Sequence, residues 1–224
     1  GGTALITLFF WTNLQDPFNA PKLWILMITS GWLLGSMVVR VWAHRREELG
    51  EPVLRWSLVA VGVFVLFNLI AFVFTDFKFT GLWGEYARRT GLMAYLGFAV
   101  YFIASSRVIR FTNVRWVYGM VWFVGFFMTV YGIFQHFGLD FVKWDNPYNS
   151  VISTVGNPDF AGAVMGITVV VTFGIILNSD YKMMYRVVAG VTALMSLVTI
   201  KFSGALQGLL ATAVGVGLIS IVWV

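Results

Sequence analysis

Two adjacent arginines, Arg88 and Arg89, stand in the segment Leu82-Trp83-Gly84-Glu85-Tyr86-Ala87-Arg88-Arg89-Thr90-Gly91, directly before an apolar run. A guanidinium forks paired hydrogen bonds onto phosphate oxygens, so two of them at a membrane surface can hold a phosphate or diphosphate. The same pair can instead snorkel to lipid headgroups or neutralise Glu85. Further along, Gln135-His136-Phe137-Gly138-Leu139-Asp140 closes another apolar run. Its imidazole can serve as acid, base or phosphate partner, and it also suits the negative end of a helix dipole with no further role. A third segment reads Ile152-Ser153-Thr154-Val155-Gly156-Asn157-Pro158-Asp159-Phe160. Asn-Pro forces an extended or turn conformation before a helix, and Asp159 fits the N-cap. That cap leaves the polar run Ser153, Thr154 and Asn157 unexplained. A fourth, Lys201-Phe202-Ser203-Gly204-Ala205-Leu206-Gln207-Gly208, offers a cation and an amide. Gly204 and Gly208, at helical spacing, read as close helix packing. His44, among Arg45 and Arg46, takes no role.

The elements that must position these groups follow from composition. Of 224 residues, 59% are hydrophobic and only 11% charged, with a mean hydropathy of +0.83. Soluble domains carry about a quarter charged residues, so this chain cannot cover a water-facing surface. Its apolar runs have the length needed to cross a ~30 Å hydrocarbon core. The expected fold is an all-α, polytopic transmembrane bundle forming a single domain over residues 1–224. Seven complete spans are predicted at Leu23–Trp42, Leu54–Phe74, Leu92–Ser106, Val114–His136, Phe160–Asn178, Tyr185–Phe202 and Ala205–Val224. The short Leu92–Ser106 span is expected to begin earlier, near Tyr86. Ala4–Leu14 reads as the outer half of a helix, with the chain cut at both ends.

Loop charge orients the spans. The loops after the first, third and fifth complete helices hold nine basic and four acidic residues; the opposite loops hold six of each. The whole net charge of +5 therefore sits on one side, which the positive-inside rule makes cytoplasmic. Scattered charge of this kind encodes topology rather than nucleic-acid binding. All the polar segments above then face outward. No Asp, Glu, Lys, Arg or His falls near the middle of a complete span, and Asn68 is the most polar residue at depth. Ion-coupled transporters normally carry such groups, so transport loses weight. The chain has no cysteine and no His/carboxylate spacing suited to a metal, so neither a metal nor a cofactor is expected.

Gly84-x3-Arg88-x2-Gly91, then Gly132-Ile133-Phe134-Gln135-His136-Phe137-Gly138-Leu139-Asp140, then Ser153-Thr154-Val155-Gly156-Asn157-Pro158-Asp159-Phe160 resemble, in order and spacing, segments of the O-antigen ligase/O-antigen polymerase superfamily. Asp16-Pro17-Phe18-x2-Pro21-Lys22 fits the same pattern. Ser150 stands where many members have an arginine, and Lys201 is the nearest cation where many have Ser-Arg-Gly-Ala. The resemblance implies a metal-independent membrane glycosyltransferase of the GT-C type in a bacterial cytoplasmic membrane. Such an enzyme moves a glycan from an undecaprenyl-diphosphate carrier to a glycan, lipid or protein acceptor on the outer face. It implies diphosphate binding by Arg88, with the main catalytic base beyond Val224. The substrate-binding set expected on this basis is Arg88, Arg89, Gln135, His136, Asn157 and Lys201, gathered on one outward pocket. The other readings are a transporter or flippase of an anionic solute or lipid-linked sugar, and a non-catalytic membrane subunit.

Overall fold

The computed structural model describes residues 1–43, 52–108, 114–144 and 151–223. The helices are α1 (Gly2–Leu8), α2 (Asn19–Ala43), α3 (Pro52–Phe74), α4 (Lys78–Trp83), α5 (Leu92–Val108), α6 (Val114–His136), α7 (Pro158–Leu177), α8 (Met183–Ser203) and α9 (Leu206–Trp223), with a 3₁₀ turn at Ser153–Val155. There is no strand among the described residues. Among the described residues six helices (α2, α3, α6, α7, α8 and α9) are long and apolar enough to cross a membrane. The protein is an all-α, polytopic membrane protein. The remaining expected span, α5, has 17 residues, about 26 Å of helix, and falls short of that standard.

Two sequence expectations shift at the ends of elements. Helix α5 starts at Leu92 and not near Tyr86, because Gly84 to Gly91 forms a closed turn. The apolar stretch Ala4–Leu14 is helical only to Leu8. His44, Arg45, Arg46 and Ser150 lie outside the described residues.

Contacts divide the chain into two compact units. The first comprises Gly1–Ile6 and Asn13–Val114, with α5 packed against α2, α3 and α4. Its core joins Leu23 and Leu26 of α2 to Ala94 of α5, with Met27, Trp83 and Tyr101 against them. A side chain at Gly97 would run into Leu26 and Ser30, so the glycine sets the α2–α5 approach. The Tyr101 hydroxyl donates to Thr29 Oγ1 at 2.7 Å. Asn68 is satisfied within its own helix, its amide donating to the Phe64 carbonyl at 2.8 Å.

The second unit comprises Thr7–Thr12 and Arg115–Val224. Helix α7 is its centre, packed against α8 and α9, and Ala161, Met165, Thr168 and Thr172 are buried. Small residues allow the backbones to close in. A Cβ on Gly208 would meet the Gly162 backbone, and one on Gly166 would meet the Gly208 carbonyl. The close packing anticipated for Gly204 and Gly208 thus belongs to Gly208 with Gly162 and Gly166. Gly204 instead turns the chain between α8 and α9 with φ +68°. Buried hydroxyls tie α6 to α8, Thr129 pairing with Ser196 at 2.9 Å and the Trp122 indole donating to Thr192 at 3.0 Å. Helix association in lipid relies on packing and polar contacts of this sort, because lipid tails are as apolar as leucine.

Candidate functional site

In the first unit the arginine turn is built from backbone geometry. Cβ atoms on Gly84 and Gly91 would each land on the other's backbone nitrogen. The pair therefore closes the loop tightly between α4 and α5. Inside it the Arg88 and Arg89 amides both donate to the Glu85 carbonyl, at 3.0 and 2.8 Å. Arg89 then adopts a left-handed conformation, φ +54°, which costs a non-glycine residue about 1–2 kcal/mol. Its buried Nε makes no hydrogen bond among the described residues, and two charge contacts hold the side chain. The guanidinium lies 4.4 Å from the centre of the Tyr86 ring, and Nε stands 3.8 Å from Asp16 Oδ2.

Asp16 itself is buried. Its carboxylate accepts from the Asn19 amide at 2.9 Å and the Ala20 amide at 3.0 Å, capping α2. The Asn19 side chain donates to the Ala87 carbonyl at 2.8 Å, and the Tyr86 hydroxyl to Gln15 Oε1 at 3.0 Å. The segment Asp16–Lys22 and the arginine turn are thus one polar cluster. The two arginines have different situations. Arg89 is engaged by Asp16 and Tyr86, whereas Arg88 is exposed and among the described residues no ion pair holds it.

In the second unit α6 ends in a Schellman turn. The Gly138 amide donates to the Gln135 carbonyl and the Leu139 amide to the Phe134 carbonyl, at 3.1 and 2.9 Å. Gly138 takes φ +69°, the left-handed position that this cap requires. The reversal brings Asp140 back beneath the helix. Its carboxylate accepts from Tyr131 Oη at 3.0 and 3.1 Å, Gln135 Nε2 at 3.0 Å, Trp144 Nε1 at 2.9 Å and the Val142 amide at 3.0 Å. The Phe10 ring stacks on Tyr131, with centroids 5.7 Å apart.

Gln135 is the joint of this network. While its Nε2 donates to Asp140, its Oε1 accepts from the backbone amides of Ile152 and Ser153 at 3.0 and 2.7 Å. Ser153 sits at φ +49° with its hydroxyl donating to the Met128 carbonyl at 2.9 Å. The Thr154 hydroxyl donates to the Thr7 carbonyl at 3.0 Å. Polarity that exceeded the needs of a helix cap is accounted for here: the two hydroxyls tie an irregular buried loop to other segments, while Gln135 receives backbone donors that would otherwise be unmet. Asn157, and not Asp159, caps α7, its Oδ1 accepting from the Asp159 and Phe160 amides at 2.8 and 3.3 Å. Proline explains the shift. Pro158 occupies the first helical position, where its missing N–H costs nothing, so the cap moves to the residue before it.

Among the residues expected to bind substrate, Arg88 and Arg89 belong to the first unit and Gln135, His136, Asn157 and Lys201 to the second. Gln135 is buried with both ends of its amide engaged. His136 is exposed and lies flat against Phe202, ring centroids 3.5 Å apart and planes 4° from parallel. Lys201 precedes Phe202 in the last turn of α8 and is exposed. The second unit thus gathers His136, Lys201 and the Gln135-held loop at one end, where α6 and α8 finish and α7 starts. Tyr131, Trp144, Phe10 and Asp16 were not anticipated as members of these clusters. Tyr131 had a legible signal, since it lies one helical turn before Gln135 and shares its face. No three of His, Asp and Glu gather into a metal-ligating group among the described residues. Compared with family models, curated proteins and solved structures, the chain matches none.

Proposed function

We propose that the chain works as a membrane glycosyltransferase, moving a glycan from an undecaprenyl-diphosphate carrier to an acceptor on the extracytoplasmic side of a bacterial cytoplasmic membrane. The reaction breaks the bond between the sugar's anomeric carbon and the diphosphate oxygen. It forms a glycosidic bond to an acceptor hydroxyl, whose proton passes to a base, and releases the lipid diphosphate. Charge accumulates on that leaving group, so a preplaced cation lowers the barrier. The observation that carries the reading is Arg88: an exposed guanidinium on a turn closed by Gly84 and Gly91 and fastened by its neighbour Arg89 to Asp16. A side chain needed only for the fold would be engaged as Arg89 is. The ordered resemblance of the Gln135–Asp140 and Ser153–Asp159 segments to the ligase/polymerase superfamily supports the same reading. In it, Asn157 and Gln135 shape the loop, while His136 and Lys201 stand as secondary phosphate or sugar contacts.

The test is transfer of a lipid-linked glycan in membranes containing the protein. Arg88→Lys keeps the charge but loses the fork. A hydrogen bond to a charged group is worth about 1.5–3 kcal/mol, so the rate should fall about 10- to 100-fold. Arg89→Lys preserves a cation beside Asp16 and Tyr86 and should change the rate little. Equal tolerance of lysine at the two positions, with both variants folded, would remove Arg88 from the site.

Orientation has its own test. A cysteine replacing Glu85 should react with an impermeant thiol reagent added outside, and one replacing Lys182 should not. The absence of native cysteines makes the labelling unambiguous, and the reverse pattern would turn the proposed site to the cytoplasm.

A further inference from the structure

We infer that Phe137–Phe141 is a rigid finger inserted into the phospholipid leaflet at the α6 C-terminus, anchoring the Gln135-held loop at a fixed depth. Phe137, Leu139 and Phe141 are 65%, 68% and 76% exposed, and they alternate with Gly138 and Asp140 along the chain. The left-handed Gly138, φ +69°, turns the chain off the helix end between them. Asp140 shows where the inner side lies, because Tyr131, Gln135 and Trp144 all donate to its carboxylate. The three large apolar side chains keep most of their surface exposed, Phe141 while one face of its ring meets Tyr131 and Phe10.

Continuity with the helix identifies what covers them. Along α6 the exposed Phe123, Phe127 and Phe134 recur at helical spacing, forming a stripe on a span that faces lipid. Phe137 falls on the same stripe as the helix ends, so the finger prolongs a lipid-facing surface. Soluble loops do not present three such side chains in five residues without a partner surface. Lys143, exposed two residues beyond Phe141, suits the anionic headgroup level. The finger is also preordered. The Schellman bonds fix its base, and the Phe141 ring rests on Tyr131 with centroids 5.5 Å apart. Insertion therefore requires no folding at the membrane. The inference stands apart from the transfer reading, since it concerns depth and not substrate.

The experiment uses the full chain reconstituted in phosphatidylcholine/phosphatidylglycerol vesicles, with single cysteines at Leu139, Phe141 and Lys143 carrying a nitroxide label. Collision with apolar oxygen and with a water-soluble nickel chelate reads depth. Labels at 139 and 141 are expected to meet oxygen several-fold more often than nickel, and the label at 143 to show the opposite bias. All three positions are exposed, and gel filtration of each variant establishes folding. Nickel accessibility at 139 and 141 equal to that at 143 would place the finger in water. Protection from both reagents would place it under another protein segment. Either result overturns the proposal.

Discussion

Gln135→Leu should destabilise the protein by about 4 kcal/mol. The substitution preserves volume and apolar contacts but removes both halves of the amide. The Ile152 and Ser153 amides lose the acceptor that now receives them at 3.0 and 2.7 Å, and both residues are buried. Each buried donor left unmade costs about 1–3 kcal/mol, and Asp140 loses one donor in addition. Unfolding in mixed micelles measures the change. Gln135→Glu is a useful companion, since it keeps an oxygen for the two amides but sets a carboxylate against Asp140 and should also destabilise. A loss below about 1 kcal/mol for the leucine variant, within the range of a surface substitution, would show that the loop holds itself in place. Because the loop continues into the Asn157 cap of α7, its release should also increase exchange of the first amides of that helix.

Gly91→Ala is the second large effect expected, and it probes the arginine turn. An added methyl would meet the Gly84 nitrogen and the carbonyl group of Leu82. These are backbone atoms of a closed turn, which cannot rotate aside as the tip of a flexible side chain would. Overpacking against movable side chains costs about 1–3 kcal/mol, so a loss of at least about 3 kcal/mol is expected in the same unfolding assay. The turn can escape only by opening, which would take Arg89 from Asp16 and the Ala87 carbonyl from the Asn19 side chain. Gly62→Ala is the control: that position has open space around it and alanine is a better helix former than glycine, so the variant should match or exceed the parent. If Gly91→Ala behaved like Gly62→Ala, the Gly84–Gly91 contact would not be closing the turn.

The two clusters share a design in which one side chain caps or joins and its neighbour is left outward. Asp16 and Arg89 leave Arg88 exposed, while Gln135 and Asp140 leave the His136 edge and Lys201 exposed. Strain accompanies both, at Arg89 and at Ser153. Such conformations persist only where the surroundings over-determine them: the closed turn with the Asp16 and Tyr86 contacts at Arg89, and the Gln135 and Met128 hydrogen bonds at Ser153.

Much of the fold was legible because its causes are local. Spans are a matter of apolar run length, so Pro158–Leu177 and Met183–Ser203 lie close to where hydropathy put them. The Asn157-Pro158 pair announced a helix start, although it was the proline's missing donor that settled which residue caps it. A diphosphate role for Arg88 could be expected from the resemblance of its motif, but the partner that engages Arg89 could not. Asp16 precedes a different helix far away in the chain, and nothing local distinguishes a capping aspartate from a solvated one. The same holds for Asp140, which read as the end of a motif and proved to be the acceptor for Tyr131, Gln135 and Trp144. Run length and turn chemistry act within a few residues, so the sequence determined where the chain spans and bends. Which polar groups satisfy one another is decided by segments brought together only when the helices pack, and that belonged to the tertiary structure alone.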